Sequence, residues 1–144
     1  MTTQENKPSW LFWTIAFSSI IWNSMGVHAY LQQAYKTEHF QSMYSEEQQT
    51  MIHQLPSYYT AVFAIAVFFS VMASLLLLAR NKLAISIFFI ALIAVILQTG
   101  FNVFIYEGRE LYGSMEYLML AFIPLVSLFL YRYSKKALTK MWIS

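Results

Sequence analysis

Four stretches of apolar residues, Trp10–Leu31, Tyr58–Ala79, Leu83–Tyr106 and Met115–Tyr133, occupy most of the 144 residues of this chain. Each reaches or approaches the ~20 residues that a helix needs to cross ~30 Å of hydrocarbon. A segment at that depth has no water to bond its amides, so it must satisfy them internally and reads as a helix. Only Arg80, Asn81 and Lys82 separate the second stretch from the third, and eight residues separate the third from the fourth. Such short connections predict antiparallel neighbours and leave no length for a second domain. The expected fold is all-α: one integral membrane antiparallel four-helix bundle over residues 1–144, with a short amphipathic helix in its single long loop.

The composition agrees, since 58% of residues are hydrophobic and 11% charged, against about 25% charged in soluble domains. The chain has no cysteine, which removes disulfides, thiolate metal ligands and thiol relays from consideration. Its net charge of +2 is not gathered into a basic patch, so nucleic acid is not an expected partner. Lys7 before an apolar run, with Ser24, Met25 and Gly26 beyond it, has the outline of a signal peptide. The run continues through Val27, Ala29 and Leu31, longer than a signal's apolar region, and is read as a first span.

Basic residues are distributed seven to two. Lys7, Arg80, Lys82, Arg132, Lys135, Lys136 and Lys140 fall on one side of the expected bundle, and Lys36 and Arg109 on the other. The positive-inside bias therefore puts both termini in the cytoplasm. Six of the seven glutamates, all but Glu5, then lie at the outer boundary and make that face acidic. Aromatic residues mark the same two levels, Trp10, Trp13, Tyr131, Tyr133 and Trp142 inside and Tyr30, Tyr58, Tyr59, Tyr106 and Tyr117 outside. Residues Tyr133–Ser144 alternate apolar and basic positions, as expected of a helical extension on an anionic leaflet or of a plain stop-transfer flank.

The long loop, Gln32–Pro56, has structure of its own. Ser45-Glu46-Glu47-Gln48 has the form of a capping box, with acids in the first turn where the helix dipole favours them. A helix over Glu46–Leu55 follows, and Tyr44, Gln48, Met51, Ile52 and Leu55 share one face of it. It is expected either as a lid across the outer mouth of the bundle or as a connector that shields the helix ends.

Polar residues within spans are costly and point to interior faces. Ser19, Asn23, Gly26, Tyr30 and Gln33 make a small and polar stripe on the first span, and Ala91, Ala94, Gln98 and Asn102 make one on the third. Both spans run in the same direction, and Asn23 and Gln98 each fall ~20 Å from the inner edge, so the stripes are expected to face each other and these two carboxamides to pair. On the second span Ala61, Ala64, Ala66, Ser70, Ala73 and Ser74 are read as packing residues. Pro124 predicts a kink in the fourth span, with Ser127 one turn on to bond a freed carbonyl. His28 is the one ionisable residue well inside a span and lies near the level of Asn102, Tyr58 and Glu116. Polar capacity thus gathers in the outer half. The candidate ligand-binding residues are Asn23, His28, Tyr58, Gln98, Asn102 and Glu116. His39 and His53 with the loop glutamates lack any recognised metal-ligand spacing, and a second intramembrane histidine for haem is missing. No cofactor or metal is expected.

The stretches Trp22-Asn23-Ser24-Met25-Gly26-Val27-His28-Ala29-Tyr30-Leu31, Leu55-Pro56-Ser57-Tyr58-Tyr59 with the run Ala61–Phe68, and Tyr133-Ser134-Lys135-Lys136-Ala137 resemble a family of short bacterial four-span proteins. Some members carry the label "sugar transporter". The resemblance covers nearly the whole chain but rests on membrane segments rather than catalytic motifs. It implies a bacterial inner (cytoplasmic) membrane and supplies no site residues.

With no nucleophile–base pair and no phosphate-binding loop, an enzyme is not expected. The leading expectation is an accessory subunit or scaffold of a membrane assembly, with the lipid bilayer and a larger complex or second copy as partners. The alternative is binding or transport of a small molecule at an outer-leaflet cavity, as a homodimer.

Overall fold

A computed structural model describes residues 6–105 and 114–144. Glu5, Tyr106, Glu107, Arg109 and Glu110, which entered the charge and aromatic readings, lie outside the described residues. Every regular element among the described residues is helical: α1 (Trp10–Tyr35), α2 (Glu38–Met43), α3 (Glu46–His53), α4 (Ser57–Leu78), α5 (Leu83–Gly100), which continues as a π-helical turn over Phe101–Ile105, and α6 (Ser114–Thr139). Three of them, α4, α5 with its π extension, and α6, are long and apolar enough to cross a membrane. The 26-residue α1 has the length, but Asn23, His28, Gln32 and Gln33 dilute its apolar character.

The four long helices pack in chain order, α1 on α4, α4 on α5 and α5 on α6. Small residues set this order. The buried stripe of α4 runs Ala66, Ser70, Ala73, Ser74, Leu77 and lets both neighbours approach closely. Gly26 of α1 meets the same helix: a Cβ there would stand 3.1 Å from Val67 Cγ1, so a larger residue would need the Val67 side chain to give by a few tenths of an ångström. First and last helices, α1 and α6, pack far less extensively and touch through an edge-to-face pair of Trp22 and Phe122, 5.5 Å between ring centres.

The packed core sits at the end where α1 begins and α6 finishes. Phe12 and Ala16, Ala73 and Leu77, Ala84 and Phe88, and Leu130 and Ala137 meet there, two from each long helix, and Ile143 completes the cluster. Ile143 belongs to the tail, whose path differs from the expected surface helix. At the end of α6 Met141 takes the left-handed conformation, φ 56°, and the Trp142 amide bonds back to the Ala137 carbonyl at 2.9 Å, which stops the helix. The chain then folds under the α4–α5 turn. Ser144 N donates to the Arg80 carbonyl and Lys82 N to the Ser144 carbonyl, both at 3.0 Å, while Arg80 Nε donates to the Trp142 carbonyl at 2.7 Å. These carbonyls and amides, left over at two helix ends, are what the tail satisfies. Its apolar residues Trp142 and Ile143 therefore turn onto protein, where Trp142 packs edge-on against Phe12.

Pro124 lies inside α6 without ending it. Its missing amide removes the helical donor for the carbonyl of Leu120.

Candidate functional site

At the opposite end, the four long helices surround a half-open cavity of about 640 Å³. That volume is within the range of small-molecule sites, roughly 300–1,000 Å³. Its roof is α3. Tyr44, Gln48, Met51, Ile52 and Leu55, the residues that the sequence puts on one face of this helix, all line the space.

Local chemistry holds the roof together. The Gln48 amide donates to Ser45 Oγ at 3.2 Å and the Ser45 amide to Gln48 Oε1 at 2.9 Å, the reciprocal capping box. The helix ends at His53, two residues earlier than expected, with Gln54 as its cap. Before it lies α2, a six-residue helix that the sequence reading left as loop. Thr37 caps it through Phe40 N at 3.3 Å, and Phe40 is buried against the Tyr44 ring, 4.9 Å between centres. The Gln49 amide group donates to the carbonyls of Gln41 and Tyr44, both at 2.9 Å, which braces α2 against α3. Burial pushes the Tyr44 phenol up, and the carboxylate of Glu116 in the first turn of α6 adds to it. Roof and wall meet at this pair.

The walls carry polar groups from each long helix. Asn23 lines the cavity, but its partner is not Gln98. Its amide group donates to Ser74 Oγ at 2.9 Å and to the Ser70 carbonyl at 3.4 Å. Since α1 packs on α4, the stripe that Asn23 meets is the small-residue stripe of α4, and the expected facing of α1 and α5 is corrected accordingly. Gln98 also lines the cavity, and its Oε1 is buried without a hydrogen-bond partner among the described residues. An oxygen so placed carries a desolvation penalty of about 1–3 kcal/mol until something donates to it. Asn102 lines the space too, with its Oδ1 accepting from the Tyr59 hydroxyl at 2.6 Å.

Of the six candidate residues, Asn23, Gln98, Asn102 and Glu116 come together around one cavity. His28 and Tyr58 do not. The His28 ring is exposed on the far side of α1 and pairs with Gln32 one turn on, and Tyr58 is exposed with its ring against Phe101. Tyr59, one position further along α4 and so ~100° around it, takes the inward place. The sequence reading also passed over Thr99, Phe63 and Met119, which line the cavity as well; only their spacing from Asn102, Tyr59 and Glu116 could have drawn them in.

Comparison of the chain with protein-family models, with curated proteins and with solved structures finds no match in any of the three.

Proposed function

We propose that this chain is an integral membrane protein that binds a small amphipathic molecule in the cavity beneath α3. In this reading the four long helices cross the bilayer as a bundle and α3 lies at the outer surface. One observation carries it: a cavity of drug-sized volume beneath α3, lined by a polar residue from each long helix, Asn23, Ser70, Gln98 and Glu116. A scaffold acting only through its surface has no use for such a space, which forfeits packing. That is why binding is preferred to the accessory-subunit reading. Transport by four spans would need a second copy.

Membrane insertion is supported by the outward apolar surface. Phe104 is 82% exposed and Trp10 77%, and large residues such as Ile21, Leu125 and Phe129 also face outward. Contiguous apolar surface of this kind suits lipid rather than water. The seven-to-two basic asymmetry supports cytoplasmic termini, and a bacterial inner membrane is proposed on the sequence resemblance alone. Single cysteines test the orientation cleanly in a cysteine-free chain. The exposed positions Glu47 and Lys140 serve for this. On intact cells a membrane-impermeant maleimide should label Glu47→Cys and reach Lys140→Cys only after lysis; the reverse pattern would invert the topology.

Binding itself is tested by thermal unfolding in lipid nanodiscs with a panel of neutral, anionic and cationic amphiphiles. At least one should stabilise the protein by an amount that grows with the logarithm of its concentration, about 2.7 kcal/mol at a hundredfold excess over Kd. Thr99→Trp and Leu120→Trp, which fill the cavity from different walls, should each abolish that response. A panel with no such compound would return the protein to the scaffold reading.

A further inference from the structure

We propose that the ligand of this cavity is a lipophilic monocation, held by Glu116 and the aromatic faces at the mouth with its N–H or other donor groups turned to Gln98 and Asn23. The inference rests on the binding reading above and adds the ligand's charge to it.

Several of the cavity's polar groups can accept a hydrogen bond. Asn23 has its amide hydrogens engaged by Ser74 and Ser70, so it offers the space its carbonyl oxygen. Gln98 Oε1 is buried and without a donor among the described residues. Leu120, whose carbonyl loses its helical donor to Pro124, is another lining residue. Donors line the space as well: Asn102, whose oxygen is engaged by Tyr59, presents its amide hydrogens, and Gln33, Thr99 and Ser127 carry others.

Charge points the same way. Among the described residues that line the cavity, Glu116 is the single carboxylate, and no lysine, arginine or histidine joins it. Glu116 is exposed: an anion at the mouth would meet its charge with no counter-charge, and a monocation would be drawn to it with the modest strength of a solvent-exposed pair. Trp22, Tyr44, Tyr59 and Phe63 bring aromatic rings to the same space, and a cation is attracted to the face of such a ring. Met25, Met51 and Met119 complete a wall of flexible, polarisable side chains, suited to apolar bodies of varied shape.

The test uses three probes of similar size: tetraphenylphosphonium as the cation, triphenylphosphine oxide as the neutral analogue and tetraphenylborate as the anion. Each is measured by equilibrium dialysis against the full chain in zwitterionic lipid nanodiscs, with empty nanodiscs subtracted. The cation should bind about tenfold more tightly than the neutral probe, the factor that one well-placed cation–aromatic and carboxylate contact supplies. The anion should show no protein-dependent binding. Glu116→Gln should bring the cation down to the affinity of the neutral probe, Glu116→Asp should keep most of the preference, and Thr99→Trp should remove binding of the cation altogether. Equal affinity for cation and neutral probe, or a cation affinity indifferent to Glu116→Gln, overturns the charge assignment. If binding in either case is still blocked by Thr99→Trp, the cavity reading stands without it. Should none of the three probes bind while a neutral or anionic amphiphile stabilises the protein in the thermal panel, the charge assignment alone fails; silence in both experiments removes both.

Discussion

Replacing Phe88 by alanine is expected to destabilise the protein by about 3–5 kcal/mol. Phe88 is 1% exposed and sits where all four long helices converge. Truncation would leave a void there that its neighbours cannot fill without moving helices already in contact, so lost dispersion adds to the change. The informative comparison is Ile123→Ala. Ile123 lies on the cavity wall and is 43% exposed, so trimming it enlarges an existing space instead of opening a new one. Its cost should stay below about 1.5 kcal/mol, near the transfer term alone. Reversible unfolding of both variants in mixed micelles checks this. Similar losses would mean that the two ends of the protein are packed alike.

Ile143→Ala should cost about 2–5 kcal/mol in the same assay, a large effect for a residue next to the last of the chain. Ile143 is 1% exposed within the cluster that holds Phe12 and Phe88. Its position is held by backbone bonds between Ser144 and the Arg80 and Lys82 turn and by Arg80 Nε on the Trp142 carbonyl. The tail thus acts as a clasp across the ends of α4, α5 and α6. A tail that merely rested on a lipid surface would tolerate the change with no loss of stability, and that outcome would reject the clasp.

Much of the frame was legible in the sequence because hydrophobic length and local cap chemistry are local properties. The four apolar stretches became the four long helices, with ends moved by a residue or two except where α1 and α6 run on into polar sequence. Ser45 and Gln48 announced α3, and the period of 3.6 fixed which of its faces is apolar, so the roof residues could be named before their neighbours were known. Period and depth do not say which helix a face will meet. For that reason Asn23 was matched to Gln98 by level, while close approach at Gly26 and Val67 brings α1 to α4 and gives Asn23 to Ser74. His28 was drawn in by its chemistry and its level; lying about 140° around the helix from Asn23, it turns outward. Two features had weak local marks. The six residues of α2 depend on tertiary burial of Phe40, and the turns that end α4 and α6 put Arg80 and Met141 at positive φ, a conformation usually announced by glycine.

The central claim, a space beneath α3 that small molecules enter, is tested most directly by thiol accessibility in the cysteine-free chain. Ser70 lines the cavity, whereas Ala73, less than a turn away on α4, is fully buried in the packed core. Both side chains are nearly inaccessible to bulk solvent, at 7% and 0% exposure, so surface access does not separate them. With N-ethylmaleimide on the protein in nanodiscs, Ser70→Cys should be modified at least about tenfold faster than Ala73→Cys, because a thiol reacts only where a reagent can reach it. Equal, slow modification of both cysteines would contradict the claim and leave a protein that is closed at both ends.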